Sequence, residues 1–261
     1  MKKLFMLLII LAVFIQFVIA GEDGKLKDFE DELNKPIEHN NNNQNEEDDN
    51  YDEDEDDPFD NLFWSIVYET FIGSNCSYNS IRIQPYIYYN DFSGRYADDG
   101  NSFDAEIDIK YIYNSNDLDG ISLSGSIFFL RMMNLKFNYQ KLSEELDNGN
   151  DEMEYYELFL DYYRARFHNF NWFWGIGVKG LQRNNSYLGM GLNTGFEIYP
   201  VKPVSLEIAA NIGWLNEHPV SKIITDINIH YWRIKFAIGY QRLMTGNAKI
   251  NSINIGIGIN Y

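Results

Sequence analysis

From Phe103 to the end of the chain, apolar and polar side chains alternate with the two-residue period of β-strands, not the 3.6-residue period of helices. The last stretch shows the pattern cleanly: Ile253, Ile255, Ile257, Ile259 and Tyr261 share one face, and Asn254, Gly256, Gly258 and Asn260 share the other. At the start of the region Ile107, Ile109, Tyr111 and Tyr113 oppose Asp104, Glu106, Asp108 and Lys110. Between them lie eight more segments of like parity, giving ten of about 9 to 14 residues each. The fourth is the least regular, because Tyr155, Phe159 and Tyr163 share the face of Glu157 and Asp161.

Connections near residues 131, 169, 201 and 231 read as short, whereas those near 117, 147, 184, 218 and 246 read as longer and more polar. Ser143 to Glu152 is the clearest of the longer ones. Strict alternation of the two kinds predicts a meander that closes between two aqueous compartments. Helices do not alternate with the strands, which disfavours a doubly wound α/β fold.

One face of each segment is rich in Ile, Leu, Val and large aromatics, and the other in Gly, Asn, Ser and charged residues. A soluble sandwich would turn the apolar faces toward each other, and periodicity by itself does not exclude that. Two features favour apolar side chains outside and polar ones inside. Tyr and Trp collect at segment ends, where amphipathic rings suit a lipid headgroup boundary. Segments of about 9 to 11 residues, tilted by about 45°, also match the hydrocarbon thickness of a bilayer. The expected fold is therefore all-β, an antiparallel up-and-down transmembrane barrel of about ten strands, with eight or twelve left open. Twelve would require residues 62–72 and 81–89 to supply another pair. Oppositely charged groups on the inner face, Lys110, Lys136, Glu157, Asp161, Lys179, Glu197, Glu207, Asp226, Arg233 and Lys235, form a candidate interior charge network.

The first hundred residues differ in character. Residues 1–20 read as a signal peptide: Lys2 and Lys3 precede an apolar run from Leu4 to Val18, and Ala20 offers a small-residue cleavage site before Gly21. The chain's net charge of −18 is concentrated in residues 21–60, which hold 18 acidic and 3 basic groups. Ten of the twelve residues from Glu46 to Asp57 are Asp or Glu, so this segment is expected to be a disordered periplasmic spacer. It includes one short amphiphilic piece, Leu26, Phe29 and Leu33. Residues 61–102 read as a lead-in or as additional strands. No basic patch suits a nucleic acid, and Cys76, the only cysteine, excludes an intrachain disulfide.

A signal peptide, alternating strands, aromatic ends and a final strand closing on an aromatic residue together resemble Gram-negative outer-membrane β-barrel proteins of the small-barrel type. The similarity covers roughly residues 103–261. It implies outer-membrane lipid as the surroundings, and Ile253, Ile255, Ile257, Ile259 and Tyr261 as the signal read by the barrel assembly machinery. Asp117 to Gly120, Phe137 to Tyr139 and Phe196 to Pro203 further resemble a set of bacterial exported proteins that bring no activity with the match.

Enzymatic barrels need a histidine near a carboxylate or serine at the outer rim. Of the four histidines, only His218 falls on a connection assigned outside, beside Glu217 and near Ser221, and a plain loop residue is the favoured reading. No His/Cys cluster has metal-ligand spacing and no glycine-rich phosphate loop follows a strand, so neither metal nor cofactor is expected. The expectation is a monomer with a structural or interaction role, its loops presented at the cell surface. A barrel-embedded hydrolase, proteolytic or lipid-modifying, and a narrow channel are the alternatives.

Overall fold

The computed structural model describes residues 24–36, 104–114, 118–130, 132–146, 149–166, 170–201 and 203–260. The expected signal peptide, the acidic run from Glu46 to Asp57 and the candidate extra strands at 62–72 and 81–89 lie outside the described residues. Ten strands form one closed antiparallel barrel. They are β1 (Asp104–Asn114), β2 (Leu118–Leu130), β3 (Met133–Leu146), β4 (Gly149–Arg166), β5 (Phe170–Gln182), β6 (Ser186–Val201), β7 (Val204–Leu215), β8 (His218–Tyr231), β9 (Ile234–Thr245) and β10 (Ala248–Asn260). Each pairs with its sequence neighbours, and closure comes from β1 on β10, with Ile107 opposite Ile259, Ile109 opposite Ile257 and Tyr111 opposite Ile255. The terminal strand thus pairs with both the penultimate and the first, which excludes the eight- and twelve-stranded alternatives.

Register follows the alternation, since a one-residue slip would turn every apolar side chain of a strand inward. Ile107 and Ile109 of β1 and Ile255, Ile257 and Ile259 of β10 face out, as do Leu188 and Met190 of β6, which are 69% and 70% exposed. The irregular fourth segment also resolves by parity. Leu158 and Leu160 point outward, whereas Tyr155, Phe159 and Tyr163 are buried in the lumen.

The connections depart from expectation. All nine are two or three residues long, so short and long turns do not alternate. Ser143 to Glu152 is not a loop: it is the end of β3 and the start of β4, paired from Ser143 opposite Glu152 up to Leu146 opposite Gly149. Polar composition suggested a loop, but the strands continue past the apolar belt, and polar residues are what a strand carries where it projects into water. Asn216 and Glu217, at φ 49° and 67°, make the two-residue left-handed turn that matches the twist of a hairpin.

The second departure is a helix. Lys25–Leu33, within the segment expected to be disordered and periplasmic, forms α1 (Lys25–Leu33) and buries Leu26, Phe29 and Leu33 completely. It sits at the hairpin end of the barrel, opposite the end where β1 begins and β10 finishes. No helix among the described residues is long and apolar enough to cross a membrane.

Candidate functional site

The lumen is layered, and its middle layer is the charge network. Lys222 Nζ lies 2.9 Å from Glu157 Oε2 and donates to Asn138 Oδ1 at 2.9 Å. Lys235 pairs with Glu106 and, at 2.9 Å, with Asp108. Lys110 pairs with Asp226, and Lys136 lies 3.6 Å from both Asp161 and Glu207. The Lys179 ammonium donates instead to Asn211 Oδ1 and to the Val220 carbonyl, each at 3.0 Å. Glu197 accepts from Tyr163 Oη, Asn171 Nδ2 and Tyr199 Oη. Nine of the ten residues expected in the network therefore face the lumen, joined by Glu106, Asp108 and Lys222 of the same face.

Arg233 is the exception. It is exposed in the two-residue turn between β8 and β9, with its guanidinium 5.9 Å from the Trp232 ring. Strand parity does not reach Arg233, because Trp232 takes a positive φ of 55° and the pleat does not continue through the turn.

Inner-face glycines make room for the charges. A Cβ at Gly239 would fall 1.8 Å from Asp226 Oδ1, and one at Gly258 would fall 1.8 Å from Asp108 Oδ1. These carboxylates lie across the neighbouring strand, where any side chain would displace them. The pairs surround a cavity of about 120 Å³ walled by Asp108, Lys110, Lys136, Glu157, Glu207 and Asp226 among others. On the side where β1 begins and β10 finishes, Phe128, Tyr163 and Phe173 form an aromatic floor, and Lys136 Nζ stands 3.6 Å from the Phe173 ring centroid.

At the hairpin end the inward positions switch from polar to apolar. Ile112, Leu142, Met153, Leu181, Leu215, Val220, Leu243 and Ile250 continue the parity of the charged residues, yet they form one buried cluster with Leu26, Phe29 and Leu33 of α1. Polar groups at the rim hold the helix. Glu30 Oε2 accepts from Arg183 Nη1 at 2.5 Å and Asn184 Nδ2 at 3.0 Å, while its Oε1 accepts from the Asn185 N–H at 2.8 Å. Arg183 is itself clamped on Asp151 through Nε and Nη2, at 2.8 to 3.0 Å. Burial pushes the Glu30 carboxyl up, but the Asn185 N–H and the Arg183 guanidinium outweigh it and hold Glu30 below the ordinary value of 4.5.

His218, the candidate acid–base residue, has its Nε2 2.9 Å from the Lys35 carbonyl oxygen, so it holds the backbone that follows α1. His230 Nε2 lies 2.7 Å from Ser205 Oγ near the opposite end, with Ser205 buried beneath the rim. Among the described residues, no group of three His, Cys, Asp or Glu side chains is arranged to hold a metal. Of the expected assembly signal, Ile255, Ile257 and Ile259 point outward, Ile253 is half-buried, and the Tyr261 side chain lies outside the described residues. Aromatic rings do collect at both ends: Tyr113 and Trp214 are exposed on the hairpin side, Tyr231 and Trp232 on the other.

Sequence reasoning missed the plugged mouth, including Glu30, Glu144, Arg183 and Asn216. Two signals point to it. Leu26, Phe29 and Leu33 have helical spacing, and aliphatic residues occupy the polar parity at one end of successive strands.

No family model matches the chain, and no curated protein matches it. Three solved structures share a likeness of fold at 10% identity. The outer membrane protein OprG from Pseudomonas aeruginosa covers 61% of this chain and 96% of its own, at a TM-score of 0.33. The N-terminal β-barrel domain of Pseudomonas aeruginosa OprF covers 60% and 97%, at 0.31. Neisserial surface protein A, NspA, covers 62% and 98%, at 0.34.

Proposed function

We propose that the protein is an integral barrel of a bacterial outer membrane, with a structural or interaction role centred on its helix-plugged mouth. The observation that carries this reading is the exterior: Ile107, Ile109, Ile176, Leu192, Ile212, Ile238, Ile255 and Ile257 are exposed around the barrel, while lysines and carboxylates fill its interior. In water such a belt would drive association; lipid is the medium that matches it. Export through a cleaved signal peptide, insertion by the barrel assembly machinery through the β10 isoleucines, and a monomeric state belong to the same proposal. Outer-membrane fractionation together with heat-modifiable gel migration tests it, and recovery of the mature protein as a soluble monomer without detergent would overturn it.

The layered lumen supports a role without conduction. A ten-stranded barrel encloses an interior that side chains can fill, and here ion pairs, an aromatic floor and α1 occupy it at three levels. In planar bilayers the protein is expected to show no stable single-channel steps; steady ohmic conductance would contradict this part of the reading.

A further inference from the structure

The barrel holds α1 as a receptor holds a ligand. Gly24, at φ 86°, gives the helix no side-chain cap of its own. The Glu144 carboxylate of β3 replaces one, accepting from the backbone N–H groups of Gly24, Lys25 and Leu26 at 3.0, 3.0 and 3.1 Å. At the other end Asn216 Nδ2 donates to the Leu33 carbonyl at 2.7 Å. Both contacts read backbone, so they recognise a helix of this length whatever its sequence. Side-chain recognition includes one carboxylate, Glu30 on the Arg183 turn, three apolar anchors, Leu26, Phe29 and Leu33, and Asn34, whose Oδ1 accepts from Tyr187 Oη at 3.0 Å. A nine-residue helix is marginal by itself in water, so the barrel supplies the fold as well as the site.

We propose that the mouth is a docking site for a short acidic amphipathic helix of a partner protein, of pattern apolar-x-x-apolar-Glu-x-x-apolar, and that α1 is the tethered occupant competing for it. Charge complementarity at Arg183 and the barrel-borne caps at both helix ends select that partner. The inference stands apart from the membrane reading, since it concerns only the mouth and can be tested in detergent.

The test uses the full chain with Phe29→Asp, whose own helix cannot seat, and a fluorescent peptide of residues 24–36 followed by anisotropy. Heat-modifiable migration confirms that the barrel is folded, and Leu26→Lys serves if Phe29→Asp prevents folding. The peptide is expected to bind the variant and to bind the wild-type chain at least about tenfold more weakly, because a tethered competitor acts at an effective concentration near the millimolar range. A Glu30→Gln peptide is expected to lose about fivefold or more, and Arg183→Ala in the same chain to erase that difference. Equal binding to both chains, no binding to the folded variant, or a scrambled peptide that binds as tightly would each overturn the proposal.

Discussion

Replacing Lys222 with methionine would leave the Glu157 carboxylate in the lumen with its ammonium partner gone. The two side chains are 0% and 4% exposed and 2.9 Å apart. Removing one member of a buried pair typically costs about 3–5 kcal/mol, against about 0.2–1 kcal/mol for an exposed pair. Two local facts place this case toward the lower end. Tyr155 Oη continues to donate to Glu157 at 2.5 Å, and Lys179, whose ammonium lies 5.8 Å from the same Tyr155 ring that Lys222 approaches to 5.2 Å, remains nearby. About 3 kcal/mol, or roughly a hundredfold in the unfolding equilibrium, is the expected loss. Glu157→Gln should cost at least as much, because it leaves two ammonium groups against one ring without their carboxylate. Lys222→Met combined with Glu157→Leu should recover most of the loss, since apolar replacement of a whole buried pair is often close to neutral. Equilibrium urea unfolding in lipid vesicles, followed by tryptophan fluorescence, gives the full double-mutant cycle. A Lys222→Met cost below about 1 kcal/mol with no coupling to Glu157 would mean that water screens the pair and the lumen is open.

Two further outcomes follow from the exterior and from the rim. Ile255, near the middle of β10 and 60% exposed, should cost about 2–4 kcal/mol when changed to Arg, whereas Ile259→Arg near the strand end should cost only about 0–1 kcal/mol. The same vesicle unfolding measures both, and equal costs would argue against lipid around the barrel. Docking of α1 should weaken in acid: the Glu30 carboxyl is held below 4.5 when docked, so its contribution is complete above that value and disappears as pH falls through the lower docked value. Hydrogen-exchange protection of Lys25–Leu33, corrected for intrinsic rates between pH 7 and pH 3, should fall in the wild type, and a Glu30→Gln chain should start lower and change less.

Strand parity made the barrel legible because each strand has one face in a uniform environment. A period of two places Ile107 and Ile109 on one face and Asp108 and Lys110 on the other, and the aromatic segment ends with the segment length assign the apolar face to the outside. The same reasoning failed where the environment changes along a strand. The residues from Ser143 to Glu152 are polar because they stand beyond the apolar belt, which composition does not distinguish from a loop. Arg233 followed the parity of Lys235 but lies in a turn, where the pleat is interrupted. For the mouth, Leu142 and Leu243 have the inward parity of Gln140 and Gln241, and only the position of apolar residues at one end of several strands distinguishes a second, apolar layer from irregular alternation. The helix was hidden by its neighbours: three apolar residues do not offset the acidity of residues 21–60 when that segment is weighed as one piece.

The two layers also explain why the mouth needs an occupant. In the middle of the lumen, lysines reach across from facing strands and meet carboxylates around the small cavity, so the long side chains of this layer find partners within the barrel wall. One layer out, Leu215, Val220, Leu243 and Ile250 replace those long side chains, and aliphatic groups of that length converge without closing the opening. Left empty, the cup would expose a concave apolar surface to water. A strand added from outside would find no unpaired edge in a closed barrel, whereas a helix brings its backbone hydrogen bonds with it and needs only its ends satisfied. Glu144 and Asn216 stand at those two ends. The rim chemistry and the apolar lining therefore impose one requirement together, a short helix with a single carboxylate. Neither half would select it alone, because the lining without the caps would accept any apolar body and the caps without the lining would hold a helix too short to persist.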